Sequence, residues 1–192
     1  MKRIAAAIGA LAAAGCVSVL PQPQVPDGLY TVDTTRETPV PLAGTVVVQR
    51  PETQKLFAGT ALISKSDDGS ARVVPGVEWS DNPARLLQIG LLDLFAAQAG
   101  GHAVTPTSGA SAKYELAWRI ADFSVNGAQA NVALELTLLN ARNRDPIARK
   151  LVRTDAATTS NDAPARILAL EAAARAALQE TAAFVSANAP AA

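Results

Sequence analysis

Tyr114-Glu115-Leu116-Ala117-Trp118-Arg119-Ile120-Ala121 alternates large apolar with polar or small residues at every step, and the alternation returns after Asn126-Gly127 as Asn131-Val132-Ala133-Leu134-Glu135-Leu136-Thr137-Leu138. A period of two is the signature of a strand with one face buried. Asn-Gly between two such runs is a strong hairpin signal. The spacing therefore predicts strands over 114–125 and 132–138. Tyr114, Leu116, Trp118 and Ile120 share one face, as do Val132, Leu134, Leu136 and Leu138. A turn around Asn143 to Pro146 leads to a third strand over 147–154, which makes an antiparallel meander.

Working outward, the helices come on either side of this meander. After it, Asp162 can cap a helix with Pro164 in its first turn, and Ile167, Leu170, Ala174, Leu178, Thr181 and Val185 form one stripe. That helix is expected over 162–187, with residues 188–192 as a disordered tail. Before the meander, Ser80, Asp81 and Asn82 offer caps, Pro83 suits the first helical position, and Leu87, Leu91, Leu94 and Phe95 follow at helical spacing. A helix over 82–99, closed by Gly100-Gly101, is expected. Gly90 inside it costs about 1 kcal/mol relative to Ala, which points to a close neighbour. Thr45-Val46-Val47-Val48 reads as a strand buried on both faces. Shorter strands are expected over 29–32, 57–64, 71–77 and 102–105, with a hairpin turn at Ser66-Asp67-Asp68-Gly69. Two amphipathic helices and several strands need only one shared core. The fold class is α/β: one domain over 28–187, a mixed and largely antiparallel sheet with two amphipathic helices packed on it.

The chain start carries a different signal. Met1-Lys2-Arg3 precedes an uncharged run, Ile4 to Ala14, and Gly15 stands before Cys16, the one cysteine among 192 residues. Positive start, short apolar segment and small-residue cleavage site make a secretory signal, too short for a membrane span. The cysteine after Ala-Gly resembles a bacterial lipobox. That resemblance implies cleavage at Gly15–Cys16 and acylation of Cys16, so residues 1–15 read as a lipoprotein signal peptide. Each buried methylene of an acyl chain contributes about 0.8 kcal/mol, and several chains on one residue anchor permanently. Val17 stands where many inner-membrane lipoproteins carry Asp, which implies the outer membrane, facing the periplasm. Pro21, Pro23 and Pro26 then favour a semi-rigid tether over 16–27, which at about 3.1 Å per residue spans roughly 30 Å.

Composition excludes several function classes. Seventeen basic and seventeen acidic residues give no basic excess, so nucleic acid is not an expected partner. One histidine, His102, and no thiol besides Cys16 cannot assemble a zinc site or a Cys–His nucleophile. No phosphate-cradling or nucleophile-elbow motif occurs. A catalytic carboxylate pair is conceivable, but none stands out. No catalytic residue, cofactor or metal site is expected, and the protein does not read as an enzyme. Asp67-Asp68 reads as a turn rather than a cation site. Arg149, Lys150 and Arg153 read as charges protecting an edge strand, with docking to an acidic surface as the other reading. Trp79 reads as core, with partner binding as its other reading.

A further likeness rests on particular residues. A lipobox and tether precede a Val-rich strand ending in Gln49-Arg50-Pro51. Val77-Glu78-Trp79-Ser80 opens a helix with Leu86-Leu87-Gln88, and the meander and an Ala-rich terminal helix follow. This arrangement, over residues 28 to 187, is similar to the ABC-type transport auxiliary lipoproteins, the PqiC-like family. The resemblance implies an anticodon-binding-like α/β sandwich. It also implies a non-catalytic auxiliary subunit of an MCE/ABC-type lipid transport system. The implied partners are a periplasmic MCE-family protein and the permease and ATPase of that system, with the membrane reached through the lipid anchor and self-association left open. An adaptor of an unrelated secretion or cell-wall assembly is the alternative. Of the functional residues, only Cys16 transfers.

Overall fold

A computed structural model describes residues 25–95 and 102–191. Its elements are, in chain order, β1 (Gly28–Tyr30), β2 (Val46–Val48), β3 (Glu52–Thr53), β4 (Ala61–Lys65), β5 (Ala71–Trp79), α1 (Pro83–Phe95), β6 (Ala103–Val104), β7 (Tyr114–Asn126), β8 (Gln129–Asn140), β9 (Pro146–Ala157) and α2 (Ala163–Asn188). The nine strands form one mixed sheet organised on β7. Along one side β7 pairs antiparallel with β8, and β8 with β9, as the alternation and the Asn126-Gly127 signal predict. Gly127 takes the left-handed conformation, φ +54°, that the tight turn requires. Along its other side, β7 is met in succession by β2, β3 and β4, all parallel to it. β5 and β1 extend the sheet beyond β4, and β6 extends it beyond β2.

Both helices cover one face of this sheet. Ile167, Leu170, Ala174, Leu178, Thr181 and Val185 of α2 are fully buried, as their stripe predicts. Thr154 Oγ1 donates to Ala173 O at 2.7 Å, which fixes α2 over β9. Asp162 caps the helix by accepting from the Ala165 amide at 2.7 Å. Asn82 plays the same part for α1, its Oδ1 accepting from the Arg85 amide. Gly90 is the close contact between the helices: a β-carbon there would lie 2.8 Å from Leu178 Cδ1. Its carbonyl also accepts from Thr34 Oγ1 at 3.2 Å. A residue without a side chain is needed at this crossing.

Several expectations are corrected. The run Thr45 to Val48 is not buried on both faces: Val46 and Val48 are fully buried, while Val47 is half-buried, because the second face carries no helix. The stretch 57–64 begins as a 3-10 turn, Lys55–Phe57, and becomes strand at Ala61. Phe57 is nevertheless buried, and the Lys65 ammonium sits 5.0 Å from its ring centroid. The first strand spans 28–30 rather than 29–32. In β7 the two faces exchange at a bulge between Ile120 and Asp122, after which Phe123 and Val125 are buried. One extra residue shifts the alternation by one. The end of the chain is docked rather than disordered at 189–190: Ala189 is buried and Pro190 O accepts from the Tyr114 hydroxyl at 3.1 Å. The expected continuation of α1 to residue 99 and its Gly100-Gly101 stop lie outside the described residues.

Candidate functional site

Cys16 and most of the tether, residues 16–24, lie outside the described residues. The body receives the chain at Asp27, whose amide donates to Gly76 O at 2.8 Å. Gly76 has φ +87°, and this kink in β5 leaves room for the incoming segment. The attachment point is therefore the β1 edge of the sheet.

The two tryptophans sit in the core. Trp79 closes β5 at 1% exposure, with the Phe123 ring against it at a 5.4 Å centroid distance, inclined by 55°. Its indole N–H is buried and has no hydrogen-bond partner among the described residues. This burial corrects the partner-binding reading of Trp79: the ring offers no surface to dock against. Trp118 is also buried, but its Nε1 donates to Gln49 O at 2.6 Å. That bond secures the segment where β2 leaves the sheet and β3 begins.

The polar groups gather on the face opposite the helices. Glu115 is buried to 8% exposure, and its carboxylate accepts from Gln49 Nε2 at 3.1 Å and from Arg144 Nη1 at 2.9 and 3.0 Å. Arg144 has φ +61°, the non-glycine left-handed residue of the β8–β9 turn. This conformation costs some strain, which the turn and the ion pair offset. Sequence reasoning missed this clamp; its only signal is the Asn143-Arg144-Asp145 turn following a Glu on an apolar strand. A cleft of about 300 Å³ opens beside it, lined by Gln49, Glu52, Glu115 and Arg144 among others. Further along, Arg119 pairs with Glu135 at 2.6 Å, and this hydrogen bond raises the guanidinium pKa further. Lys65 pairs with Asp122 at 2.7 Å.

The sheet ends at β9, where Arg149, Leu151 and Arg153 share the face opposite the helices and are exposed, and where a bulge at Ile147 interrupts the alternation. Lys150, on the helix side, pairs with Glu180 at 3.2 Å. A second, larger cleft of about 780 Å³ near the β8–β9 turn includes Lys113 and Arg142 in its lining. Beside the α1–α2 crossing, burial raises the pKa of Asp93, and the nearby charge of Asp33 adds to this. Asp33 itself is lowered by hydrogen bonds from Thr35. The single His102 is exposed. Among the described residues no group of three or more His, Cys, Asp or Glu is placed to hold a metal ion. The Asp67-Asp68 pair forms the expected hairpin turn, with Gly69 at φ +84°. No described helix is long and apolar enough to cross a membrane.

The domain is thus a mixed sheet with both α-helices on one face and ion pairs fixed on the other. Its sequence matches the family model described as the ABC-type transport auxiliary lipoprotein component over residues 4–183, and the chain belongs to that family. The fold is shared with the crystal structure of the protein XCC0632 from Xanthomonas campestris. That match has a TM-score of 0.71 at 17% identity and covers 84% of this chain and 93% of that one. A second crystal structure, of an uncharacterized protein, superposes with a TM-score of 0.67 at 10% identity over 84% of this chain and all of the other. The hypothetical protein CT253 of Chlamydia trachomatis matches with a TM-score of 0.52 at 8% identity, over 76% of this chain and 98% of its own. No protein of curated function matches the sequence.

Proposed function

We propose that the protein is an outer-membrane lipoprotein that serves as the auxiliary subunit of an MCE/ABC-type lipid transport system. In this reading its role is docking rather than catalysis. The observation that carries it is the family match over residues 4–183, which takes in Cys16 and the whole sheet. Cys16 is acylated, and the tether over 16–27 holds the body off the lipid headgroups in the periplasm. Confinement near the membrane raises the effective concentration for a partner reaching across from the inner membrane, without any new contact. A modest affinity of the free body then suffices for bridging. The partners are the periplasmic MCE-family protein and, through it, the permease and ATPase.

The test is affinity purification from membranes of the native host, comparing wild type with Cys16→Ser. The expected result is co-purification of an MCE protein with the wild type from the outer-membrane fraction, and loss of palmitate label in the serine variant. Repeated recovery of secretion or cell-wall components without any MCE protein overturns the transport reading. Equal label in the serine variant overturns the anchor.

A further inference from the structure

Two clefts flank the start of β7, and their charges differ. The smaller, beside Glu115, is balanced: Arg50 and Arg144 line it together with Glu52 and Glu115, and the Glu115–Arg144 pair closes at 2.9 Å. The larger, of about 780 Å³, is lined by residues 43–45, 111–113 and 140–142. Its ionisable side chains are Lys113 and Arg142, both exposed, and no acidic residue stands in the lining. Neither cation makes an ion pair or a side-chain hydrogen bond with another described residue; Lys113 has the Tyr114 ring, whose centroid lies 5.5 Å from its ammonium. Two cations without a counter-charge make this hollow electropositive, and its walls focus the field on whatever enters.

The hollow is preformed. The Tyr114 amide donates to Thr45 O at 3.4 Å and the Ala141 amide to Lys113 O at 2.9 Å, so the three lining segments are tied to one another. Asn140 Oδ1 accepts from the Arg142 amide at 2.9 Å, which fixes the side-chain amide and leaves its NH2 group unpartnered among the described residues. The Thr45 and Ser111 hydroxyls are unpartnered in the same sense. Ala43, Gly44, Ala112 and Ala141 bring too little side chain to fill the space. This donor set selects the ligand. An ammonium, a guanidinium, an amide NH2 and two hydroxyls, presented from three segments, are complemented by a compact anion with several acceptor oxygens. A carboxylate offers its oxygens in one plane, whereas a phosphate ester spreads them around a tetrahedron and still takes a guanidinium bidentately. The volume is that of a small-molecule site and far exceeds a bare phosphate, which points to an ester.

We infer that this cleft binds the phosphate group of an ester, held between Lys113 and Arg142, with Asn140 and the two hydroxyls as neutral donors. A soluble phosphate monoester and a phospholipid headgroup share this chemistry. The inference does not rest on the transport reading and survives its failure.

Isothermal titration calorimetry of the full chain in nonionic detergent tests it, with detergent alone as the blank. Two probes are used, glycerol 3-phosphate and dihexanoyl phosphatidylglycerol. The expected result is saturable binding of at least one, with a dissociation constant below about 1 mM at low salt. Lys113→Glu and Arg142→Glu should each weaken it about tenfold or more, since each removes a charge-assisted contact and adds repulsion. Arg149→Glu makes the same change of charge on an exposed arginine outside the cleft and should leave binding unchanged. Whichever probe binds tighter identifies the source, a soluble ester or a lipid headgroup. Circular dichroism checks folding; if Lys113→Glu unfolds after losing the Tyr114 ring, Arg142→Glu carries the test, because its side chain has no described partner. No saturable binding of either probe up to about 10 mM overturns the inference. So does binding that survives in a folded Arg142→Glu variant, or that Arg149→Glu weakens as much.

Discussion

The two faces of the sheet obey different rules. Under α1 and α2 the face is continuous apolar packing, in which Val46, Leu62, Leu116, Leu134 and Val152 are fully buried. On the opposite face the same strands present Glu115–Arg144, Arg119–Glu135 and Lys65–Asp122. The first face is held by volume, where every atom lost leaves a cavity. The second is held by pairs that water partly screens. Stability and surface chemistry are thus divided between the faces.

Substitutions on each side test that division. The largest expected effect is Trp79→Ala, which should cost about 3–5 kcal/mol, because a fully enclosed indole leaves a large cavity. Urea denaturation measures it; a variant as stable as wild type that fails to bind a partner would instead return Trp79 to the surface. Next comes Gly90→Ala. Overpacking against Leu178 costs about 1–3 kcal/mol, while better helix propensity returns about 1 kcal/mol. A net loss of about 1 kcal/mol is expected, and a Gly90→Ala variant more stable than wild type would show that α2 yields easily. On the open face Arg119→Ala should leave the thermal midpoint nearly unchanged, since both partners are half-exposed. A loss comparable to Trp79→Ala would erase the distinction between the faces.

The smallest effect is the pH dependence. Asp162 is lowered by hydrogen bonds from Ser160 and the Ala165 amide, and Asp68 by those from Ser70. A carboxylate whose folded pKa is depressed contributes stability above its unfolded pKa and loses it as pH falls through the folded value. Asp93 works in the opposite sense. Its raised folded pKa means that stability is lost as pH rises from the unfolded to the folded value. Asp162→Asn keeps a cap but removes the charge, so its denaturation midpoint should fall less steeply than wild type below pH 4, a range set by ordinary carboxylates. An unchanged acid limb would show that the cap is not ionised.

Much of this architecture is written in short-range pattern. The alternation at 132–138, the Asn126-Gly127 turn, the α2 stripe and the Gly90 contact all rest on a period or on one residue's conformational range. Such features are legible because they need no knowledge of distant partners. The change of face in β7 was legible too, since apolar residues occupy even positions to Ile120 and odd ones from Phe123. It was missed by treating the whole run as one regular strand. The candidate site was read less completely, because nothing local to Glu115 announces the clamp that Gln49 and Arg144 complete.

The sequence by itself determined the fold class, the antiparallel meander and the positions of both helices, because periodicity, capping and turn chemistry act over a few residues. Tertiary structure alone decided that β2, β3 and β4 all lie parallel along one side of β7. It also decided that both α-helices cover the same sheet face, that Val47 and Leu151 meet solvent, and that Ala189 and Pro190 dock. Those outcomes depend on which surfaces meet across long stretches of chain, and the residues involved carry the same local signals whether a helix or water lies above them.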